Sequence, residues 1–370
     1  PYRRQRQMCI RDRYYGGQIP FIRSAEINSE ITELFLTEEG LKNSSARLVA
    51  VGDILYALYG ATSGEVGRAR LKGAINQAIL AIKPHTDYDS EYLAQWLRKS
   101  KHSIIDTYLQ GGQGNLSGTI VKELSVDFPS LKEQKAIGGF FRQLDNLITL
   151  HQRKFDKLQV LKKAMLEKMF PKNGSSVPEI RFKGFTDAWE QRKLGEVVER
   201  ITRKNENLES TLPLTISAQY GLIDQNEFFD KRIASKDVSG YFLVRNGEFA
   251  YNKSTSSDAP WGAIKRLDRY ESGVLSTLYI VFKILDERKT SSDYIVTYYN
   301  TDLWHKGIQA IAAEGARNHG LLNVAPADFF ETNLTMPKDY AEQQQIGSFF
   351  QMLDHLITLH QRKFYVSILV

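Results

Sequence analysis

With 370 residues, the chain is long enough for about two domains, each with its own core. Its composition, 42% hydrophobic and 25% charged, is typical of a globular protein, and no apolar run approaches the roughly 20 residues of a membrane-spanning helix. The single cysteine, Cys9, excludes an internal disulfide framework and a cysteine-based metal site. Because no secretory signal is present either, the expected location is the cytoplasm, with no membrane partner.

The net charge of +6 is concentrated in two segments. Residues 1–13 carry five arginines and one aspartate and show no periodicity, so we expect them to be a non-native segment foreign to the fold. Residues 132–172 contain ten Lys or Arg against four Asp or Glu. Since the rest of the chain is then slightly acidic, bulk charge alone gives weak support for a nucleic-acid ligand.

Residues 14–131 are predicted to form a first domain of short strands and one helix. Helical spacing of apolar residues predicts a helix over about residues 90–107, and the glycine-rich residues 111–115 are expected to form a loop. The strands are predicted from β-branched and aromatic runs bounded by Gly or Pro, at residues 19–22, 53–59 and 78–82. This domain lacks a front portion that the second domain has.

Residues 132–172 are predicted to be a spacer consisting of one long helix, from about Lys132 to Phe170. Apolar residues recur every three or four positions, which is the pattern of a coiled-coil seam. Pro171 and the dipeptide Asn173-Gly174 are expected to end the helix.

A linker over residues 173–189 leads to a second predicted domain, residues 190–340, which repeats the order of the first. It has a β-run at residues 277–284 and a predicted helix at about residues 292–311. Residues 341–370 then begin as the first long helix does but diverge after Phe364, so the C-terminal helix is expected to be shortened.

The two long helices are an internal repeat. Ile137–Phe155 and Ile346–Phe364 lie 209 residues apart and are identical at fifteen of nineteen positions. Both copies are preceded by a Glu-Gln pair a few residues after a proline. A chain of two similar modules, each followed by the same helix, suggests a protein that recognises two similar objects at a fixed separation.

The helix motif EQ-x-x-IG-x-FF-x-x-LD-x-L-I-x-x-HQRK, followed by residues 177–190 and by Lys193-Leu-Gly-Glu196, resembles the specificity subunit of type I restriction–modification systems. The resemblance extends over about residues 14–364. It implies a mixed α/β fold with two target-recognition domains, joined by long conserved helices that form an antiparallel coiled coil.

The resemblance also implies a non-catalytic subunit that reads a bipartite sequence of double-stranded DNA, one half per domain. The implied partners are methyltransferase subunits, which use S-adenosylmethionine, and a restriction and translocation subunit, which uses ATP and Mg. No cofactor or metal is expected in this chain itself.

Polar residues on corresponding loops of the two domains are the candidates for reading bases, because Arg and Lys suit guanine edges while Asn and Gln suit adenine. A polar residue that only solvates a loop is the alternative for each. The candidates are Thr62, Ser63, Arg68, Gln113 and Asn115 in the first domain, and Lys253, Ser254, Thr255, Arg317, Asn318 and His319 in the second.

A second set of residues lies on the repeated helices and is predicted to form the coiled-coil core or to contact partner subunits. The two Phe-Phe pairs are expected to pack against the globular units or a partner. The set comprises Phe140, Phe141, Leu144, Ile148, His151, Phe155, Leu158, Phe349, Phe350, Leu353, Ile357 and His360. The two histidines have no second ligand nearby in the sequence, so a scaffold role is expected for them.

Two motifs suggest other functions. Asp258-Ala-Pro-Trp261 is similar to the Asp-Pro-Pro-aromatic motif of amino-group DNA methyltransferases but lacks its first proline, so a turn with a buried Trp is favoured. The segment Gly60–Gly67 is glycine-rich but lacks the Gly-Lys-Ser/Thr ending of a phosphate-binding loop. A protein–protein adaptor built on the repeated helix is the alternative to a DNA-binding subunit.

Overall fold

The fold is described from a computed structural model of the chain. The described residues are 13–109, 115–172, 174–217, 220–231, 233–257, 259–312 and 320–369, with side chains described up to residue 363. Most of the predicted non-native segment, residues 1–12, therefore lies outside the described part. Within that part, no helix has the length and apolar character needed to cross a membrane.

The chain divides into two compact units, Pro1–Leu150 and His151–Val370. The division falls inside the long helix, whereas the domain boundaries expected from the sequence are at residues 131 and 173. Those boundaries remain predictions.

Ten α-helices are found among the described residues. They are α1 (Glu38–Lys42), α2 (Ser90–Lys99), α3 (Lys101–Tyr108), α4 (Gly118–Lys122), α5 (Leu131–Lys168), α6 (Gln225–Phe229), α7 (Ser292–Tyr298), α8 (His305–Ile311), α9 (Pro326–Phe330) and α10 (Tyr340–Leu369). Short 3-10 helices lie at Ser24–Glu26, Gly60–Thr62 and Leu194–Glu196.

The described part of the first unit contains seven strands in two sheets. They are β1 (Tyr15–Ile22), β2 (Phe35–Leu36), β3 (Arg47–Val49), β4 (Ile54–Ala57), β5 (Val66–Arg68), β6 (Gly73–Ile75) and β7 (Ile79–Ile82). One sheet has the order β2-β1-β6-β3, in which only the β1–β6 pair is parallel. The other is antiparallel with the order β5-β4-β7, and its central strand is fully buried.

Ten further strands belong to the second unit. They are β8 (Glu190–Lys193), β9 (Val198–Ile201), β10 (Leu214–Ser217), β11 (Gly221–Asp224), β12 (Phe242–Arg245), β13 (Phe249–Asn252), β14 (Ala263–Arg266), β15 (Ser272–Leu275), β16 (Ile280–Ile284) and β17 (Asn333–Met336). They form an antiparallel sheet of order β14-β13-β16-β9 and the pairs β10-β11, β12-β15 and β17-β8. The mixed α/β character expected from the sequence is confirmed.

The sheets repeat as the sequence does. In the first unit β4 lies between β5 and β7, and in the second β13 lies between β14 and β16. The pair β3-β6 likewise corresponds to β12-β15, and all of these pairings are antiparallel. β8 and β9 of the second unit have no counterpart among the described strands of the first.

The long helix predicted from about Lys132 to Phe170 is observed as α5. The helix predicted over residues 292–311 is instead two helices, α7 and α8. Thr301 explains the break, because its hydroxyl donates to the Tyr298 carbonyl oxygen at 2.6 Å and accepts from the amide of Leu303 at 3.3 Å. Such side-chain to backbone bonds replace the helical ladder. The first unit has a shorter break at Ser100, between α2 and α3.

Candidate nucleic-acid interface and helix-docking sites

In the second unit, the residues after β13 lie against those before α9. Lys253 accepts a hydrogen bond from the Leu322 amide at 2.9 Å through its backbone oxygen, and the amide of Thr255 donates to Gly320 O at 2.6 Å. The candidates Arg317, Asn318 and His319 lie outside the described residues. In the sequence, those three residues directly precede Gly320, where the described part begins again and the two segments cross.

The first unit has the same crossing. The Leu116 amide donates to Leu58 O at 2.9 Å, and Tyr59 forms a β-bridge with Asn115. The corresponding bridge in the second unit joins Ser254 to Leu321. Gln113 is outside the described residues. Among the described residues, the structure therefore brings Tyr59 and Asn115 in the first unit, and Ser254 and Leu321 in the second, to one edge at matched positions of the repeat.

The candidate side chains at this edge differ in solvent exposure and in whether they bond within the fold. Asn115 and Ser254 are exposed. Ser63 is buried, and its hydroxyl donates to Leu58 O at 3.2 Å, so it is engaged within the fold. The hydroxyls of Thr62 and Thr255 donate to Tyr59 O and Gly320 O, but both side chains remain partly accessible.

Arg68 has a role inside its unit. Its guanidinium donates to Glu91 at 2.9 Å, to Gly52 O at 2.7 Å and to Ser90 Oγ at 3.1 Å, which ties β5 to α2. Arg266 makes the equivalent contacts in the second unit, with Ser292 Oγ at 2.7 Å and Asp293 at 2.8 Å. We therefore interpret Arg68 as a structural residue and leave it out of the proposed interface.

Lys253 and the Asp258 motif lie close together in the chain. The Lys253 ammonium is half-buried and 3.5 Å from Val324 O, and burial lowers its pKa. Asp258 itself is outside the described residues. Around it, the Ala259 amide donates to Ser256 O and the Gly262 amide to Ala259 O, while Trp261 packs on the core. These contacts are those of a turn with a partly buried Trp.

The glycine-rich segment Gly60–Gly67 begins as a 3-10 turn and ends within β5. A nearby ammonium, that of Lys101, is paired with the carboxylate of Glu65. Gly64 has a left-handed backbone, with φ of +80°, which is the conformation of a glycine turn. The segment therefore has the geometry of a strand connection.

The glutamine of each repeated Glu-Gln pair fastens its helix to the unit that precedes it. Gln134 is 2% exposed; its side chain accepts from the Asp89 amide at 2.8 Å and donates to Pro129 O at 2.8 Å. Gln343 is 1% exposed and does the same with the Ser291 amide at 2.9 Å and Pro337 O at 2.9 Å. Asp89 and Ser291 are the N-caps of α2 and α7.

The repeated Ile-Gly pair completes this contact. A Cβ on Gly138 would lie 2.7 Å from Asp89 Oδ1 and 2.8 Å from the Tyr92 amide nitrogen, and one on Gly347 would lie 2.9 Å from the Tyr294 amide nitrogen. Only glycine allows the long helix to approach the start of α2 or α7 this closely. The sequence showed that these residues repeat but gave no reason for it, since their partners are distant along the chain.

Within the second unit, α10 and the part of α5 from His151 onward run in opposite directions. The Lys162 ammonium donates to Asp354 at 2.5 Å, and further along α10 the Nδ1 atoms of His151 and His360 are 2.9 Å apart. Moving toward the C-terminus of α5 therefore corresponds to moving toward the N-terminus of α10. A coiled coil over the full length of both helices remains a prediction.

Burial along the two helices is uneven. Phe350 and Leu353 are buried, and Phe349 and Leu158 pack against the core of the second unit. By contrast, Phe140 and Phe141 are 55% and 37% exposed. We expected this pair to pack against the globular units or a partner. No described residue of the globular units buries it, so the partner is the alternative that remains. The half-buried remainder of the set is Leu144, Ile148, His151, Phe155, Ile357 and His360.

The histidine pair predicts a pH dependence of stability. One imidazole must be neutral to accept the proton of the other, and burial, followed by the charges of His151, Lys154 and Lys363, lowers the pKa of His360. A lowered pKa in the folded state means that stability is lost as pH falls below the unfolded value of about 6.5. Denaturant unfolding at pH 7.5 and pH 5 should therefore show a larger loss for the natural chain than for His360→Gln, and equal losses would contradict the assignment.

Three comparisons with known proteins agree with this architecture. Residues 6–160 match the family model of the type I restriction modification DNA specificity domain. The type I restriction enzyme MjaVIII specificity subunit of Methanocaldococcus jannaschii is 24% identical over 192 residues, which are 51% of this chain and 44% of that protein. The MjaIX specificity subunit of the same organism is 28% identical over 202 residues, 50% of this chain and 46% of that protein.

The match spans somewhat less than half the length of these curated relatives. A solved structure, the S subunit of the type-I restriction-modification system of M. genitalium, aligns over 96% of this chain and 86% of that chain, with a TM-score of 0.60 and 13% identity. At that identity the alignment shows the fold alone. The resemblance predicted from the helix and linker motifs is confirmed.

Proposed function

We propose, from the premise that the chain resembles the specificity subunits of type I restriction–modification systems, that it is a non-catalytic subunit which recognises a bipartite DNA sequence. Each unit would read one half of the target, and the repeated helices would hold methyltransferase subunits. S-adenosylmethionine, ATP and Mg would act in those methyltransferase subunits and in a restriction subunit.

The observation that carries the proposal is the matched crossing in the two units. Tyr59 with Asn115 in the first, and Ser254 with Leu321 in the second, place polar side chains at equivalent strand ends. Two equivalent edges related by an internal repeat could each bind one DNA segment, as the two halves of a twofold symmetric DNA-binding protein each bind one half-site. Polar side chains from such edges can reach donor and acceptor groups in the major groove.

We expect substitutions at the two edges to relax different halves of the target. Lys253→Ala in the second unit and Asn115→Ala in the first should each cost about 1–3 kcal/mol on the cognate duplex, because one base contact is lost. Each should leave the other half-site as selective as before. The measurement is the affinity of the complex assembled with methyltransferase subunits, using duplexes with one scrambled half-site.

Lys338→Ala is the matched control, since Lys338 is an exposed lysine between β17 and α10, away from the crossing in sequence. If either edge variant instead lowered affinity equally for all duplexes and reduced the salt slope by about one unit, the residue would contact phosphate only. If the assembled complex bound no duplex at all, a protein–protein adaptor would be favoured. Methyl transfer by the isolated chain would favour an enzyme.

A further inference from the structure

The second unit contains a cavity of about 270 Å³ between the start of β14 and the segment that joins α7 to α8; we call it the β14 cavity. Its polar lining includes Lys265, Asn300, Asp302 and His305, and its aromatic lining includes Trp304. A single water needs only about 15 Å³ of such space, whereas pockets for small organic molecules begin at roughly 300 Å³. The β14 cavity is therefore of the size that a small organic molecule fills.

Lys265 brings a partly buried positive charge to the cavity. Its ammonium donates to Asn300 Oδ1 at 3.0 Å, and no described carboxylate forms an ion pair with it. The nearby charges of Lys162 and Asp354 act on it in opposite directions and are paired with each other at 2.5 Å. Burial, followed by the charge of Lys162, lowers the pKa of Lys265, so its surroundings penalise the charged form. An anion in the cavity would remove that penalty.

Three further donors belong to residues of the lining. Since Asn300 Oδ1 accepts from Lys265, the Nδ2 group of Asn300 remains a donor. Trp304 is 7% exposed, and its buried Nε1 has no hydrogen-bond partner among the described residues, which is rare in native proteins. His305 is half-buried, and burial lowers its pKa. The described lining has a single carboxylate, that of the exposed Asp302, so donors predominate and favour an oxyanion as the ligand.

The first unit serves as a comparison, since the repeat gives the lining residues counterparts there. Lys265 corresponds to Gly67, because each precedes the arginine that ties its strand to the next helix. A Cβ on Gly67 would collide with the backbone oxygen of Ile27, so no lysine fits at that position. Asn300 corresponds to Arg98, because both lie nine residues after the N-cap of the preceding helix.

At the equivalent place in the first unit, the described side chains fill the space and neutralise the charge. Arg98 crosses it: its Nε donates to Val66 O in β5 at 3.3 Å, and its guanidinium also binds Asp145 at 2.9 Å. The other cation there, Lys101, is paired with Glu65. The second unit has neither pair among its described residues, and it has instead an open cavity beside an ammonium without a carboxylate.

We propose that the β14 cavity binds a small organic anion, a phosphate group carried on a planar ring, of about the size of a mononucleotide. The Lys265 ammonium, the Asn300 Nδ2 group and the His305 imidazole would donate to the phosphate oxygens, which accept several charge-assisted hydrogen bonds at once. The ring would lie on the aromatic lining. This site goes beyond DNA recognition, because a duplex backbone contacts exposed side chains, whereas Lys265 is partly buried and Trp304 is buried.

The test is isothermal titration calorimetry of the full chain with adenosine monophosphate as the probe. We expect one saturable site per chain and, on binding, hydrogen-exchange protection of residues 262–266 and 299–305 but not of the first-unit counterparts, residues 64–68. Lys265→Gln should weaken binding about tenfold or more, because a charged hydrogen-bond donor is lost. Lys306→Gln is the matched control: Lys306 is exposed on α8 and lies outside the cavity lining, so the affinity should be unchanged.

A second variant uses the comparison between the units. Asn300→Arg introduces the side chain that crosses this space in the first unit, with Asp354, the counterpart of Asp145, as its partner. It should abolish binding of adenosine monophosphate and leave the thermal unfolding temperature nearly unchanged. Binding that survives Asn300→Arg, or that Lys306→Gln weakens as much as Lys265→Gln does, would overturn the proposal, since the cavity would not be the site. Absence of binding by the natural chain at millimolar probe would overturn it too.

A titration with DNA distinguishes the source of the phosphate. A short duplex that displaces adenosine monophosphate from the natural chain, and whose own affinity falls with Lys265→Gln, would identify a backbone phosphate as the occupant and overturn the proposal of a free anion. A duplex without effect on the bound probe would support it. The proposed DNA recognition is tested at Lys253 and Asn115, neither of which lines the cavity, so the two proposals can fail independently.

Discussion

Replacement of Arg181 by alanine is expected to lower the free energy of unfolding of the second unit by about 3–5 kcal/mol. In the natural chain, Arg181 donates to the carboxylate of Glu342 at 2.6 and 2.8 Å. The substitution leaves Glu342, which is 1% exposed, with a buried charge and, among the described residues, Trp189 Nε1 as its one remaining side-chain donor. Breaking one side of a buried pair costs this much because the remaining charge stays desolvated. Denaturant unfolding, followed by hydrogen exchange within residues 177–201, measures both the loss and its location.

Two control variants separate this cause from general damage to the segment of residues 177–201. Lys168 and Glu179 form an exposed ion pair at 2.8 Å, so Lys168→Ala should leave the free energy of unfolding nearly unchanged. The double variant Arg181→Ala, Glu342→Gln removes the buried, unpaired charge of Glu342 and should recover part of the lost free energy of unfolding. A double variant as unstable as Arg181→Ala alone would mean that the lost packing of the arginine, rather than the charge, is the cause.

The features predicted correctly from the sequence are those with local or repeated signals. The span of α5 follows from apolar spacing and from Pro171, and the strands around residues 54–57 and 79–82 follow from β-branched runs between glycines and prolines. The sheet orders could not be derived in this way, because strand order depends on contacts between segments far apart in the chain. The internal repeat nonetheless indicated that the two units would adopt the same arrangement.

The candidate site was predicted less completely, for a physical reason. Residue type alone made Ser63 and Arg68 candidates for base reading, but a hydroxyl or a guanidinium serves equally well inside a fold. Ser63 donates to Leu58 O and Arg68 binds Glu91 in the structure. Asn115 and Ser254, whose side chains are exposed at the crossing, differ from these two residues only in their tertiary surroundings, which residue type does not reveal.

The repeated Gln and Gly residues show the opposite case. The internal repeat marked them clearly in the sequence, but nothing in the sequence indicated what they contact. Gln134 and Gln343 each accept a hydrogen bond from the amide of the N-cap residue of a domain helix, and each donates one to a proline carbonyl just before its own long helix. Buried amides with both groups satisfied specify one arrangement of the two elements. For a protein that would read two half-sites, such a joint would fix how each unit is carried by its helix.

The glycines of this joint provide a further prediction with a large effect. Gly138→Ala and Gly347→Ala should each lower the stability of their own unit by about 1–3 kcal/mol, because the new methyl group meets atoms at the start of α2 or α7 closer than 3.0 Å. The helix must then move away from the start of α2 or α7, and the glutamine bonds lengthen with it. Hydrogen exchange at the amides of Asp89 and Ser291 should report this separation.

Gly139 is the matched control, one residue from Gly138 on the same helix, because a Cβ there meets nothing within 4 Å. Gly139→Ala should therefore stabilise the first unit by about 0.5–1 kcal/mol through helix propensity alone. Since Gly138→Ala gains the same propensity, the difference between the two variants measures the steric cost of the close approach. Equal stabilities for Gly138→Ala and Gly139→Ala would show that the helix can retreat freely, and the joint would then not hold the unit in a fixed orientation on its helix.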